Sequence, residues 1–195
     1  MSKRSSQIIE DIFRRHFPGP QTVLDLTYAT GGFWRWDHGA LSVAVHHNPG
    51  WDFRATTLPD KSYDVVAFDP PHTSAGHGAS ADLYGICRVH GGPRNRADVR
   101  VWLMAGVNEA ARIARTGIIV KYKDCVEWAK PSYWWDDVEW LLEEQGWRII
   151  ENIYNDGRRA QPAGRGTLNA ANLTRYAVAV RNKKRRMNNA DQVAR

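Results

Sequence analysis

The sequence predicts an α/β fold in which a mainly parallel, twisted sheet carries helices on both faces and ends in a C-terminal antiparallel hairpin. Two observations support this prediction. Apolar, strand-like runs alternate with segments of helical periodicity, which is typical of parallel βαβ units. The last two strand-like runs, residues 147–154 and 176–180, have no helical pattern between them, so we expect them to pair as a hairpin.

The chain has 195 residues, which fits one domain with a sizeable core. We expect this domain to span residues 1–180 and to be followed by a basic, disordered tail at 181–195. The apolar runs are too short to cross a membrane, no signal-peptide pattern is visible, and the two cysteines are too few for a disulfide framework. These features predict a cytoplasmic protein.

The first element is an amphipathic helix over residues 5–17, because its isoleucine and phenylalanine side chains recur at helical spacing. Pro18-Gly19-Pro20 is a strong stop signal for this helix. Strands are then expected at residues 22–26 and 40–49. The apolar run 63–68 has the clearest pattern of a buried strand.

The second half continues the alternation. Residues 73–98 lack periodicity, and a loop of this length is usually functional or mobile, so we expect it to close over the site. A helix is expected over residues 99–115 and a buried strand over 117–123. Another helix is expected to open at Pro131, with Ser132 as a possible N-cap, and to end at Gly146.

The most informative motif is Asp69-Pro70-Pro71-His72, directly after the run 63–68. The two prolines remove two backbone N–H donors and keep the chain extended. A carboxylate and main-chain carbonyls are thereby left as acceptors at a strand end, beside an imidazole that can stack on a base. Such a cluster suits a planar group with an NH₂, such as the exocyclic amine of adenine or cytosine. The alternative is a plain strand-ending turn, since Asp and Pro are common in turns.

A second motif lies upstream, where residues 22–26 lead into a turn that contains Gly31 and Gly32. Glycine lets the backbone approach a ligand closely. Ligands of open α/β sheets bind outside the carboxyl ends of the strands, near the point where strand order reverses. The turn is therefore a candidate cofactor site, although it has neither the G-x-G-x-x-G spacing of dinucleotide-binding proteins nor the lysine of a P-loop.

Together the two motifs resemble the S-adenosylmethionine-dependent amino-methyltransferases of the DNA type. The resemblance covers residues 20–75 and rests on Leu24-Asp25-Leu26-Thr27, on Gly31-Gly32-Phe33 and on the Asp-Pro-Pro-His tetrad. It implies a Rossmann-like class I methyltransferase fold and S-adenosylmethionine as the cofactor. It also implies methyl transfer to the exocyclic amine of a base in DNA. Because an acid leads the tetrad, we expect adenine N6 in preference to cytosine N4. The base would be extruded from the duplex into the pocket.

The resemblance also implies the site residues. The expected catalytic residues are Asp69, Pro70, Pro71 and His72. The expected cofactor-binding residues are Asp25, Thr27, Gly31, Gly32, Phe33, His46 and Asp52. Three positions depart from the family pattern. Ala29 replaces a glycine and fits if its φ stays negative, His72 replaces a larger aromatic residue, and His46 or His47 replaces the acid that holds the ribose hydroxyls.

A net charge of +6 favours a nucleic-acid partner. The expected contacts are in the loop between the last two strands and in the tail, at Arg158, Arg159, Arg165, Lys183 and Lys184. The alternative is that the loop and the tail are solvated and have no role. No separate target-recognition domain is visible, which indicates low sequence specificity or a helper specificity subunit.

Other interpretations stay open at this point. The substrate could be RNA or a protein amide, or the chain could be a catalytically idle module that binds nucleic acid or a partner. A zinc ion could be bound by His72, His77, Cys87 and His90, but their spacing is not that of a compact zinc site, so no metal is expected. Most of the nine tryptophans are expected in the core, and Trp34 is the one to test as a base platform.

Overall fold

The computed structural model describes residues 3–47, 52–72, 92–93, 95–127, 130–132, 134–156 and 169–182. In chain order, its elements are helix α1 (Ser5–His16), strand β1 (Gln21–Asp25), a 3₁₀ helix (His38–Leu41), strands β2 (Val43–His46) and β3 (Tyr63–Phe68), helix α2 (Arg96–Ile113), strands β4 (Ala114–Glu127) and β5 (Lys130–Ser132), helix α3 (Trp135–Glu144), and strands β6 (Trp147–Asp156) and β7 (Asn169–Arg181). None of the helices within these ranges is long and apolar enough to cross a membrane.

The described strands form one sheet in the order β2-β1-β3-β4-β7-β6, with β5 paired to the outer part of β4. Strands β2, β1, β3 and β4 pair in parallel, whereas β7 runs antiparallel to both β4 and β6. The prediction of a mainly parallel sheet with a C-terminal antiparallel hairpin is confirmed. Strand order reverses between β1 and β3, so a ligand crevice is expected outside their carboxyl ends.

Alternate side chains of the central strands bury two separate cores. In β3, Val66 and Phe68 face helices α2 and α3, whereas Val65 and Ala67 face helix α1. Because both faces of the sheet are covered, the central strands are continuous apolar runs instead of alternating polar and apolar ones. Helices on both faces of the sheet are therefore confirmed.

Helix α1 lies close to its predicted range. Its apolar stripe is buried against the sheet, and its members are Ile8, Ile9, Ile12 and Phe13. Its last turn is tied to strand β6, because Glu151 accepts hydrogen bonds from Arg15 at 2.9 Å and 3.1 Å and lies 2.7 Å from Nε2 of His16. The proline-glycine-proline segment then leads directly into β1.

Two predicted helix starts are wrong, for different reasons. Helix α2 begins at Arg96 instead of residue 99, because the side chain of Asn95 accepts a 2.9 Å hydrogen bond from the N–H of Asp98 and caps an extra turn. The helix expected to open at Pro131 begins at Trp135, and Ser132 is not its cap. Lys130–Ser132 instead forms β5, which pairs with the outer end of β4.

The predicted strand 40–49 is also too long at its start. Residues 40 and 41 belong to the 3₁₀ helix, where the Asp37 carboxylate accepts a hydrogen bond from the N–H of Ala40 at 3.2 Å. Ser42 then has a φ of 55°, which separates this turn from β2. Of the predicted loop 73–98, residues 73–91 and 94 lie outside the described residues, and 96–98 form the first turn of α2.

Helix α2 approaches β3 so closely that Gly106 has no room for a side chain. A Cβ atom at this position would lie 2.0 Å from Cζ of Phe68. Phe68 is the last residue of β3 and immediately precedes the tetrad. The contact between this helix and this strand therefore fixes the position from which the tetrad leaves the sheet.

We expect Gly106→Ala to lower the free energy of unfolding by about 1–3 kcal/mol, because a ring in a close-packed core must move to make room. Urea denaturation followed by circular dichroism measures this change. Gly39→Ala is the matched control, because a Cβ there meets Asp37 at an ordinary 3.5 Å. Equal stability of the two variants would contradict the packing described here.

Candidate active site

The two sequence motifs meet at the carboxyl ends of the neighbouring strands β1 and β3. Thr27 Oγ1 accepts a 2.7 Å hydrogen bond from the backbone N–H of Asp69. The N–H of Leu26 donates to the carbonyl of Ala67 at 3.0 Å, so the ladder between the strands continues into the loops. The tetrad and the glycine turn therefore lie side by side at the point where strand order reverses.

Asp25, the last residue of β1, is buried and organises the turn that follows. Its Oδ1 accepts from the N–H of Thr27 at 2.9 Å, and its Oδ2 accepts from Nε1 of Trp34 at 2.7 Å. Burial raises the pKa of this carboxyl to about 7, against the lowering effect of the two hydrogen bonds, and nearby Asp69 raises it further. Both ends of the turn are thus held by one carboxyl group that is close to half-ionised at neutral pH.

The glycine turn is tight on its inner side and open on its outer side. The N–H of Gly31 donates to the carbonyl of Tyr28 at 2.7 Å, and Gly31 has a φ of 68°. A Cβ at Gly31 would lie 2.8 Å from Oη of Tyr28, whereas a Cβ at Gly32 would meet nothing within 4 Å. The backbone at Gly32 is therefore accessible to a ligand.

Ala29 does not keep the negative φ on which its replacement of glycine was expected to depend. Its φ is 45°, in the left-handed region. A non-glycine residue in this region costs about 1–2 kcal/mol. The turn therefore adopts the conformation suited to glycine and bears the strain of an alanine.

The Asp69 carboxylate lies between two side chains. Lys121 Nζ donates to its Oδ2 at 2.7 Å, and Nε2 of His72 lies 2.9 Å from its Oδ1. Burial opposes ionisation of Asp69, but Lys121 and, after it, His72 hold the pKa of Asp69 below its ordinary value. Burial also lowers the pKa of His72. At neutral pH the site therefore combines an ionised carboxylate with an uncharged imidazole.

Lys121 is the site residue that the sequence reasoning missed. It lies within β4, and its Nζ is 5.4 Å from the centroid of the Phe33 ring. Although burial lowers the pKa of Lys121, Asp69 raises it above its ordinary value. A signal was present in the sequence, because Lys121 directly follows the buried apolar run 118–120, where a charge must find a partner.

Phe33 and Trp34 are buried beneath the glycine turn. Trp34 is 7% exposed and packs against Phe13, with ring centroids 5.9 Å apart. Its indole N–H is used by Asp25. Trp34 is therefore a core residue and not a base platform, as was expected of most of the tryptophans.

The two histidines at the end of β2 have different contacts. The ring of His46 packs against Tyr63 with centroids 5.4 Å apart. The ring of His47 stacks on Tyr28, with centroids 3.5 Å apart and planes 8° from parallel. His47 therefore lies against the glycine turn, and a cofactor-binding role for His46 stays a prediction.

Asp52 is engaged by its neighbour Arg54. The guanidinium donates to the two carboxylate oxygens at 2.9 Å and 2.7 Å and lies 4.2 Å from the centroid of the Trp102 ring. The side chain of Asp52 is 23% exposed. A contact between Asp52 and a cofactor stays a prediction, and such a contact would share the carboxylate with Arg54.

Several predicted residues lie outside the described residues. They are the expected nucleic-acid contacts Arg158, Arg159, Arg165, Lys183 and Lys184, and the alternative zinc ligands His77, Cys87 and His90. In the part of the chain that the structure describes, no group of three or more His, Cys, Asp or Glu side chains could hold a metal ion.

No protein-family model matches the sequence, and no curated protein matches it. Solved structures do match. A candidate RNA methyltransferase from Pyrococcus horikoshii is 14% identical with a TM-score of 0.52, and the match covers 91% of this chain and 84% of that protein. A candidate sarcosine dimethylglycine methyltransferase from Galdieria sulphuraria is 9% identical with a TM-score of 0.54, over 91% of this chain and 85% of that one. The chain thus has the Rossmann-like fold of class I methyltransferases.

Asp25→Asn should change how stability depends on pH. The pKa of Asp25 is about 7 in the folded protein against an ordinary value of 3.8, so the folded state binds more protons between these values. The contribution of Asp25 to stability therefore falls as pH rises through this window, by at most about 1.4 kcal/mol per pH unit. Urea denaturation from about pH 5 to about pH 8 should show the wild-type protein losing stability relative to the variant. Parallel curves would contradict the raised pKa.

Ala29→Gly should raise the free energy of unfolding, by about 0.5–1 kcal/mol. Relief of the left-handed strain exceeds the greater chain entropy that glycine adds to the unfolded state. Thermal and urea unfolding measure the effect. Ala40→Gly is the control, because Ala40 lies outside the residues of positive φ and the same replacement there should be destabilising. A loss of stability at both positions would refute the strain at Ala29.

Proposed function

We propose that this protein is an S-adenosylmethionine-dependent methyltransferase that acts on the exocyclic amino group of a base in DNA, with adenine N6 as the first choice. The observation that carries this proposal is the position of the Asp69 carboxylate. It lies at the switch point of a class I methyltransferase fold, is held by Lys121, and is followed by two buried prolines. An ionised carboxylate at this place is an acceptor for an NH₂ group in the crevice.

The glycine turn fits the cofactor. The backbone at Gly32 is open, Gly31 allows the chain to fold back on Tyr28, and Asp25 holds both ends of the turn. Gly32 with its neighbours, together with the Tyr28–His47 pair, would hold the cofactor. When bound, S-adenosylmethionine supplies an electrophilic methyl group, so the protein has to supply orientation and electrostatics and needs no nucleophile of its own.

The tetrad would bind and orient the amine. Pro70 and Pro71 have no N–H groups, so this stretch offers carbonyl oxygens but no competing donors. The base amine would donate hydrogen bonds to the Asp69 carboxylate and to the carbonyl of Pro70. His72 lies beside them and would contact the base. The site would hold the amine nitrogen and the methyl group of the cofactor in near-attack geometry, which would account for much of its rate gain.

A nucleic-acid partner is supported by the net charge of +6. Arg158, Arg159, Arg165, Lys183 and Lys184 are the proposed phosphate contacts, which would add affinity and salt dependence without sequence choice. RNA is the second candidate substrate, since one of the fold neighbours is a candidate RNA methyltransferase. The chemistry at the amine is the same for both polymers.

The test is incubation of the protein with methyl-labelled S-adenosylmethionine and a mixture of DNA and RNA, followed by mass spectrometry of the nucleosides. We expect label on the N6 amine of adenine in DNA. Asp69→Ala should reduce this label by about 100-fold or more, because both oxygens that would accept from the amine are removed. Calorimetry of cofactor binding by the same variant checks that it is folded.

Label on an RNA nucleoside would move the proposal to RNA, and label on cytosine would change the base. A folded protein that binds the cofactor but labels no nucleoside would overturn the nucleic-acid proposal and favour a protein amide as the substrate. A folded protein that does not bind the cofactor would favour an idle module.

A further inference from the structure

We propose that Lys121 is a positioning residue for this transfer: it is the permanent counter-ion that keeps Asp69 ionised and able to accept hydrogen bonds from the substrate amine. The inference rests on the proposed function, since it names the residue on which the acceptor role of Asp69 depends. Lys121 belongs to neither of the two sequence motifs, and it reaches the tetrad only through the pairing of β3 with β4.

The carboxylate needs such a partner because of where it lies. The Asp69 side chain is 21% exposed, and removal from water favours the protonated form of a carboxyl group. A protonated carboxyl carries a donor on one oxygen, so it would compete with an incoming NH₂ for acceptors instead of orienting it. The acceptor role therefore requires a neighbour that stays positively charged across the working pH range.

Several titratable groups surround the carboxylate or its partners, and they come from β1, the tetrad, β4 and β7: Asp25, His72, Lys121, Lys123 and Tyr176. An ionised Asp25 disfavours a second negative charge on Asp69. His72 and Tyr176 are uncharged at neutral pH, because burial lowers the pKa of the first and raises that of the second. Lys123 acts on His72. Lys121 is a cation in direct contact with Asp69, at 2.7 Å.

The position of Lys121 is fixed before any substrate arrives. Strand β4 pairs with β3 on one side and β7 on the other, where Lys121 is in register with Tyr176. The lysine side chain is 17% exposed, and its ammonium group lies over the Phe33 ring. Oδ2 of Asp69 is thus bound by a side chain that the sheet holds in place. Oδ1, which faces His72, is the oxygen whose partner can be exchanged for the amine.

The experiment compares Lys121→Met with Lys123→Met, which removes a positive charge two residues further along the same strand. The pKa of Asp69 is measured from the ¹³C shifts of its side-chain carboxyl group in protein labelled at aspartate, with Asp69→Asn used for the assignment. The same variants are assayed for base methylation as a function of pH. The first measurement needs neither cofactor nor substrate.

We expect Lys121→Met to raise the pKa of Asp69 by about 1–3 units, and Lys123→Met to raise it by less than about half a unit. The acidic limb of the kcat/KM profile should move to higher pH by the same amount, so that activity recovers as pH is raised. Lys121→Arg should keep the wild-type profile. A merely structural lysine would lower the stability of the protein and leave this limb in place. Should Lys121→Met not fold, Lys121→Gln takes its place, since it keeps a donor, lacks the charge and should raise the pKa of Asp69 likewise.

An unchanged pKa of Asp69 in the folded Lys121 variant, or an equal change in the Lys123 variant, would overturn the inference. A shifted pKa with an unmoved pH profile would also overturn it, because ionisation of Asp69 would then not limit the reaction. A wild-type protein that methylates no nucleic acid would overturn the proposed function alone. In that case the carboxyl titration by itself decides whether Lys121 is the counter-ion.

Discussion

The hydrogen bond from the Asp69 amide to the Thr27 hydroxyl is the contact on which the candidate site depends. Parallel strands bring their carboxyl ends to one edge of a sheet, but beyond the last ladder hydrogen bond the two chains are free to separate. Here the threonine side chain takes the place of the next backbone carbonyl and extends the pairing by one step. This hydrogen bond therefore fixes the position of the tetrad relative to the glycine turn.

The same edge concentrates charge in a region with little water. Asp25, Asp69 and Lys121 are coupled electrostatically, and isolated charges in such a place are expensive. One lysine can balance one carboxylate. Lys121 is in direct contact with Asp69, so Asp69 keeps its charge and Asp25 holds a proton up to about neutral pH. The geometry thus divides the two carboxyl groups into one acceptor and one that titrates.

Much of this architecture was predictable from sequence, and the limits have physical causes. The strands β1 and β3 and the helix α1 are local patterns, so their periodicity was sufficient. Strand β5 was missed because Lys130–Ser132 has no strand pattern and is extended only through its pairing with β4. The start of α2 was placed too late because a polar cap at Asn95 adds a turn without apolar residues. Lys121 was missed because its role depends on which strand lies beside β3, and that information is long-range.

Asp25 also couples ligand binding in the site to the pH of the solution. Because the pKa of this carboxyl group is about 7, its protonated fraction at neutral pH changes when its surroundings become more or less polar. A ligand that settles on the turn held by Asp25 would therefore bind together with the uptake or release of a fraction of a proton. The heat of such a binding event would depend on the ionisation enthalpy of the buffer, and the affinity would change with pH even if the ligand itself does not titrate.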